Sequence, residues 1–84
     1  MNKRKLLKKL LFGSKNIRFI ELVTIVEAFG FSLDRVSGSH HIFVHPDIPE
    51  LINLQNVKSM AKPYQVKQFL KLIEKYDLHL KDDK

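Results

Sequence analysis

His40, His41 and His45, three of the four histidines in the chain, fall within six residues of the stretch SGSHHIFVHP, just past a Gly-Ser turn signal. Imidazoles packed this densely could ligate a metal, move protons, or form the polar face of a strand. In a strand, side chains alternate, so His40, Ile42 and Val44 point one way and His41, Phe43 and His45 the other. His41 and His45 then share a face but stand about 13 Å apart at ~3.3 Å per residue, whereas zinc ligands each lie about 2 Å from the metal. No His-x-His pair occurs and the chain has no Cys, so the ligand set is too sparse to read as a metal site. Proton transfer fits better, because an unperturbed imidazole titrates at about 6.5 and can both give and take a proton near neutrality. The plainer alternative is that these are ordinary exposed strand residues.

Other chemistries have little support. Without Cys there is no disulfide framework, no thiolate site and no cysteine nucleophile. Gly13, Gly30 and Gly38 are isolated, so none belongs to a phosphate-cradling loop. No Ser-His-Asp arrangement can be argued from spacing.

The histidines need elements to hold them. Phe19, Leu22, Val23, Val26 and Phe29 recur at helical spacing between Asn16, a candidate N-cap, and Gly30, a candidate stop. The pattern then changes to FSLDRV, the turn at Ser37 to Ser39, and HHIFVH, which together read as a hairpin. Pro46 and Pro49 end the second strand because proline has no N-H to give a ladder. LINLQ reads as a third strand. Pro63 suits the first turn of a second helix, with Val66, Phe69, Leu70, Leu72 and Ile73 on its apolar face and Lys67, Lys71 and Lys75 opposite. The order helix, three strands, helix predicts an α+β domain with two helices on one face of a small antiparallel sheet, leaving the other face open to a partner.

Charge is distributed unevenly along the 84 residues. Seven of the fifteen Lys and Arg precede Glu21, the first acid, so the rest of the chain holds eight basic residues against nine acidic ones. Residues 1 to 15 therefore read as a weakly ordered basic arm on a near-neutral body at 16 to 80, with 81 to 84 as a tail. Such an arm can hold phosphates without reading sequence, or serve only as a solvated extension. Leu6, Leu7, Leu10 and Leu11 would also give a short amphipathic helix able to lie on an anionic membrane. MNKRKLLKKLLFG starts like the charged flank of a secretory signal, but Lys8 and Lys9 break its apolar part and no small-residue cleavage site follows. With no apolar run near the ~20 residues a spanning helix needs, the expectation is a mature, cytoplasmic protein.

GSHHIFVHP, preceded by a helix ending EAFGF and followed by AKPYQVKQFLKLIEKY, resembles the HicA family of bacterial toxin components over about residues 17 to 78. The resemblance implies a fold like the double-stranded RNA-binding domain. It also implies an mRNA endoribonuclease that uses one histidine at the start of the second strand, needs no metal or other cofactor, and is blocked by a HicB-type antitoxin. Position by position, the family's Gly-Ser-His falls on Gly38, Ser39 and His40, making His40 the implied catalytic residue and His41 the second choice. The segment from Asp47 to Gln65 is longer than the family's usual turn and strand, and the basic arm lies outside its compact pattern. Arg35 and Lys62 are candidates to stabilise the phosphate's developing charge, or else ordinary surface charges. Two other readings stay open at this point: a non-catalytic RNA-binding module, and a protein-interaction domain that docks a partner on its free sheet face.

Overall fold

The computed structural model describes residues 2–13 and 15–80. Its elements are α1 (Lys3–Leu11), α2 (Phe19–Ala28), β1 (Ser32–Ser37), β2 (His40–Val44), β3 (Ile52–Gln55) and α3 (Pro63–Lys75). The strands form one antiparallel sheet in the order β1-β2-β3, so the α+β class and the α-β-β-β-α order of the body stand as read. Phe43 of β2 and Ile52 and Leu54 of β3 turn into a core with Leu22, Ile25 and Val26 of α2 and Phe69 of α3. Burial of each such side chain contributes about 1.5–3 kcal/mol. The opposite sheet face carries no helix, and every residue of β1 is exposed.

The N-terminal segment departs from the expectation of a weakly ordered arm. It is a helix, capped where Asn2 Oδ1 accepts the Lys5 N–H at 3.1 Å. The reason lies in its leucines: Leu6 and Leu10, one turn apart, find apolar partners and join the core. Lys9 Nζ also lies 3.1 Å from Glu21 Oε1 of α2. The stripe that could have rested on a membrane is thus divided, with Leu6 and Leu10 buried, Leu7 half-buried and Leu11 exposed. Removing residues 1 to 15 would strip two leucines from the core as well as charge from the surface.

The start of α2 is a second departure. Its N-cap is Arg18 rather than Asn16, because the chain just before it is extended and pairs with residues 59–61: the Ala61 N–H donates to Ile17 O and the Phe19 N–H to Ser59 O, both at 2.9 Å. Glu21 Oε1 accepts the Arg18 N–H at 2.9 Å, filling the place of a capping side chain. At the other end Gly30 takes φ 101°, the left-handed stop that glycine adopts without strain. Pro63 is in the first turn of α3.

Candidate functional site

The hairpin between β1 and β2 sets the position of His40. Ser37 pairs with His40 across a two-residue turn, Gly38–Ser39, and Gly38 has φ 60°. That left-handed first position is where glycine avoids the clash of a Cβ with the backbone, so the turn is tight and His40 starts β2 at the sheet's end. The register puts Gln55 directly across from His40 and Asn53 across from Ile42. Residues opposite one another share a face, so His40, Ile42, Asn53 and Gln55 lie on the open face together with Ser37 and Arg35 of β1.

His40 is exposed, and its Nδ1 lies 3.1 Å from Asn53 Oδ1. A carboxamide oxygen only accepts, so Nδ1 carries the proton and Nε2 of the neutral ring keeps a lone pair. His40 is therefore an imidazole oriented at Nδ1 on an uncovered surface.

The other two histidines of the cluster have different surroundings. His41 turns to the helical side, half-buried, with its ring tilted over Phe19 at 4.9 Å and its Nδ1–H donating to Ser39 O at 3.2 Å. His45 is buried, edge-on to Phe31 at 4.9 Å, and its Nδ1 accepts the Asp47 N–H at 3.0 Å. That bond places the His45 proton on Nε2, a buried atom with no hydrogen-bond partner among the described residues. The structure thus separates His40 from His41 across the sheet and places His45 in the packed interior. Among the described residues no three His, Cys, Asp or Glu side chains gather as a metal-binding group.

The two candidate cations stand apart. Arg35 shares the face of His40 through its pairing with Ile42, and its guanidinium lies 2.6 Å from the exposed carboxylate of Asp34, the extra residue of a bulge in β1. Lys62 caps α3, and its Nζ is 5.8 Å from the ring centre of the exposed Tyr64. Ser39 is the better-connected turn residue: its carbonyl accepts from both the Asn56 N–H at 3.0 Å and His41, and its hydroxyl lies 3.4 Å from Gln55 Nε2.

Three residues of this network escape a reading centred on histidine: Asn53, Gln55 and Gln65. Gln65 of α3 is 2% exposed, and its carboxamide acts like one more strand along β3, with Oε1 accepting the Gln55 N–H at 3.2 Å and Nε2 donating to Asn53 O at 3.3 Å. It joins the buried helix to the backbone that carries the partner of His40. The signal for Asn53 and Gln55 was available in INLQ, where two amides alternate with two aliphatics and so must share the polar face. Gln65 had no comparable signal, because pairing across the sheet edge depends on where α3 lands.

No helix among the described residues is long and apolar enough to cross a membrane. In comparison with known proteins, residues 20–74 match the family model described as the HicA toxin of bacterial toxin-antitoxin. That span contains α2, the whole sheet and most of α3, and it includes His40; α1 lies outside it. No curated protein and no solved structure matches the chain.

Proposed function

From the premise that this chain belongs to the HicA family, and so is a toxin of a toxin-antitoxin system with an antitoxin as partner, we propose that it is a metal-independent endoribonuclease that cleaves mRNA with His40. The observation that carries the reading is the placement of that side chain: exposed at the head of β2, with its ring oriented by Asn53 Oδ1 3.1 Å from Nδ1.

RNA supplies its own nucleophile. His40 Nε2 takes the proton from a ribose 2′-hydroxyl, O2′ forms a bond to the adjacent phosphorus, and the bond from phosphorus to the 5′-oxygen breaks. Solvent water protonates that oxygen and the His40 imidazolium returns its proton to solvent, leaving a 2′,3′-cyclic phosphate and a 5′-hydroxyl. General base catalysis of this kind contributes about 10² to 10⁴ in rate. Arg35, on the same face, and Lys62, at the start of α3, supply positive charge for the phosphorane oxygens, and Gly38 and Ser39 form the turn beside His40, with His41 supporting that turn from the helical side through Ser39 O. A HicB-type antitoxin suppresses the activity by covering this face, and the cytoplasm, where mRNA resides, is the compartment of action.

The test is cleavage of a labelled RNA by the purified chain in excess EDTA, with the new termini identified. Cyclic phosphate and 5′-hydroxyl ends, suppressed by the antitoxin, are expected. Cleavage only with added metal, or ends carrying a 5′-phosphate, would contradict the mechanism. Binding without cleavage would reduce the chain to an RNA-binding module, and inertness toward RNA would favour a protein-interaction domain.

A further inference from the structure

Three adjoining cavities, of about 400, 400 and 410 Å³, run along the seam between α1 and α3, and all three are lined by Leu11. They extend from Pro63 and Val66 at the start of α3 to Leu78 beyond its end. The floor is mainly aliphatic, made by Leu7 and Leu11 from one side and Leu70, Ile73 and Leu78 from the other, with the buried Phe29 between them. Leu11 is 60% exposed and its neighbour Phe12 86% exposed, although Leu6 and Leu10 of the same helix are in the core. A continuous apolar strip of this kind is the usual mark of a docking surface rather than of a solvated one.

The rim is basic. Among the described lining residues, Arg4, Lys15, Lys67 and Lys71 border the seam against one acid, Glu74. Lys15, Lys67 and Lys71 have no carboxylate within salt-bridge distance among the described residues. The one ring in the floor, Phe29, is 3% exposed and presents no open face for base stacking, and a concave seam is a poor match to a lipid surface. It does fit a helix laid lengthwise, with leucine-like side chains down and carboxylates toward the rim. At 1.5 Å per residue the thirteen residues of α3 make a groove about 20 Å long, room for three to four helical turns.

We infer that the α1–α3 seam is a docking groove for an acidic amphipathic helix, and that the helix belongs to the antitoxin of this chain. The second clause rests on the family assignment; the first rests on the groove. One wall of the groove, from Arg4 to Leu11, comes from α1, which lies outside the residues matched by the family model. The contact would therefore distinguish this chain's own antitoxin from those of relatives that lack such a helix. It also lies behind the sheet from His40, so docking there and covering the open face are separate events.

The probe is a fluorescent synthetic peptide of about fifteen residues with leucines at helical spacing on one face and glutamates on the other. The control has lysine for every glutamate. Anisotropy with the full chain should show the acidic peptide binding at least tenfold tighter than the basic one, and Lys67→Glu with Lys71→Glu should reverse that order. Both lysines are exposed, so the fold should survive, as circular dichroism would verify. The purified antitoxin should displace the acidic peptide from the native chain. Equal affinity for the two peptides, or indifference to the charge reversal, would overturn the groove. Displacement by anionic lipid vesicles or single-stranded RNA but not by the antitoxin would overturn the protein partner. An antitoxin that binds and inhibits without displacing the peptide would overturn its assignment to the groove, leaving the toxin reading intact. An antitoxin that displaces the peptide but never inhibits cleavage would contradict the proposed function instead.

Discussion

β2 has two faces in two environments. On the covered one, His41 and Phe43, with His45 just past the strand's end, meet aromatic rings and aliphatic side chains from the helical layer. On the open one, His40 meets an amide and solvent. The same residue type therefore has opposite uses on one five-residue strand. An imidazole packed on phenylalanine, with its nitrogens tied to backbone groups or buried, is held as a structural plate. The one oriented at Nδ1 by Asn53 and exposed on the open face is the side chain to which the proposed function gives the chemistry. Sequence adjacency of His40 and His41 says nothing about shared chemistry; the pleat assigns them to different sides.

If that division is right, mutations on the two faces should affect different observables. The largest effect belongs to the covered face. Phe43→Ala removes a ring that is 1% exposed and should cost about 3–5 kcal/mol in denaturant unfolding, its effect on cleavage following only from lost fold. A loss below about 1 kcal/mol would mean that the covered face is not the core.

Next comes the helix that joins the core from outside the family match. Leu10, 2% exposed, should cost about 2–5 kcal/mol as Leu10→Ala. If α1 were an appended arm, the substitution would leave unfolding unchanged.

Asn53→Ala should act on the open face alone. It removes the acceptor that orients His40 and should lower kcat about tenfold while unfolding and KM change little. A matching loss in KM would instead make Asn53 a substrate contact.

The smallest expected effect concerns the junction of α1 and α2. The Arg18 N–H first, and Lys9 beside it, hold the Glu21 carboxyl below its ordinary 4.5, against the opposing pull of burial. A depressed carboxyl stabilises the fold above its unfolded pKa, and that contribution disappears as pH falls through the folded value. Glu21→Gln should therefore lower Tm by about a few degrees at pH 7, with the gap to the parent closing below pH 4.5. A gap that widens in acid would reverse the sign and exclude the carboxylate as its source.

Much of this division was legible in the residues. The alternation of HHIFV assigns His40 and His41 to different faces, the Pro63 signal starts α3 correctly, and Gly30 ends α2. The start of α2 was not legible, because Asn16 is a good local cap and only the pairing of residues 17–18 with 59–61 pulls the chain into an extended form. Nor was the burial of Leu6 and Leu10, since a short basic helix with a leucine stripe suits solvent, a membrane or a core equally until its neighbour is known. Within the site, local pattern separates His40 from His41 but does not choose between them; that choice comes from the family's Gly-Ser-His, and the amides of β3 are not picked out at all. The Gln65 link comes from contacts between residues ten and twelve positions apart, which no local rule reaches.

The central claim is that His40, and neither of its neighbours in the cluster, performs the chemistry. Single-turnover cleavage of one RNA in excess EDTA, by the parent, His40→Ala and His41→Ala at saturating protein, tests it most directly. The account predicts a fall of about 10² to 10⁴ for His40→Ala with an unchanged unfolding curve, and a much smaller fall for His41→Ala. Cleavage by His40→Ala at the parent's rate would contradict it.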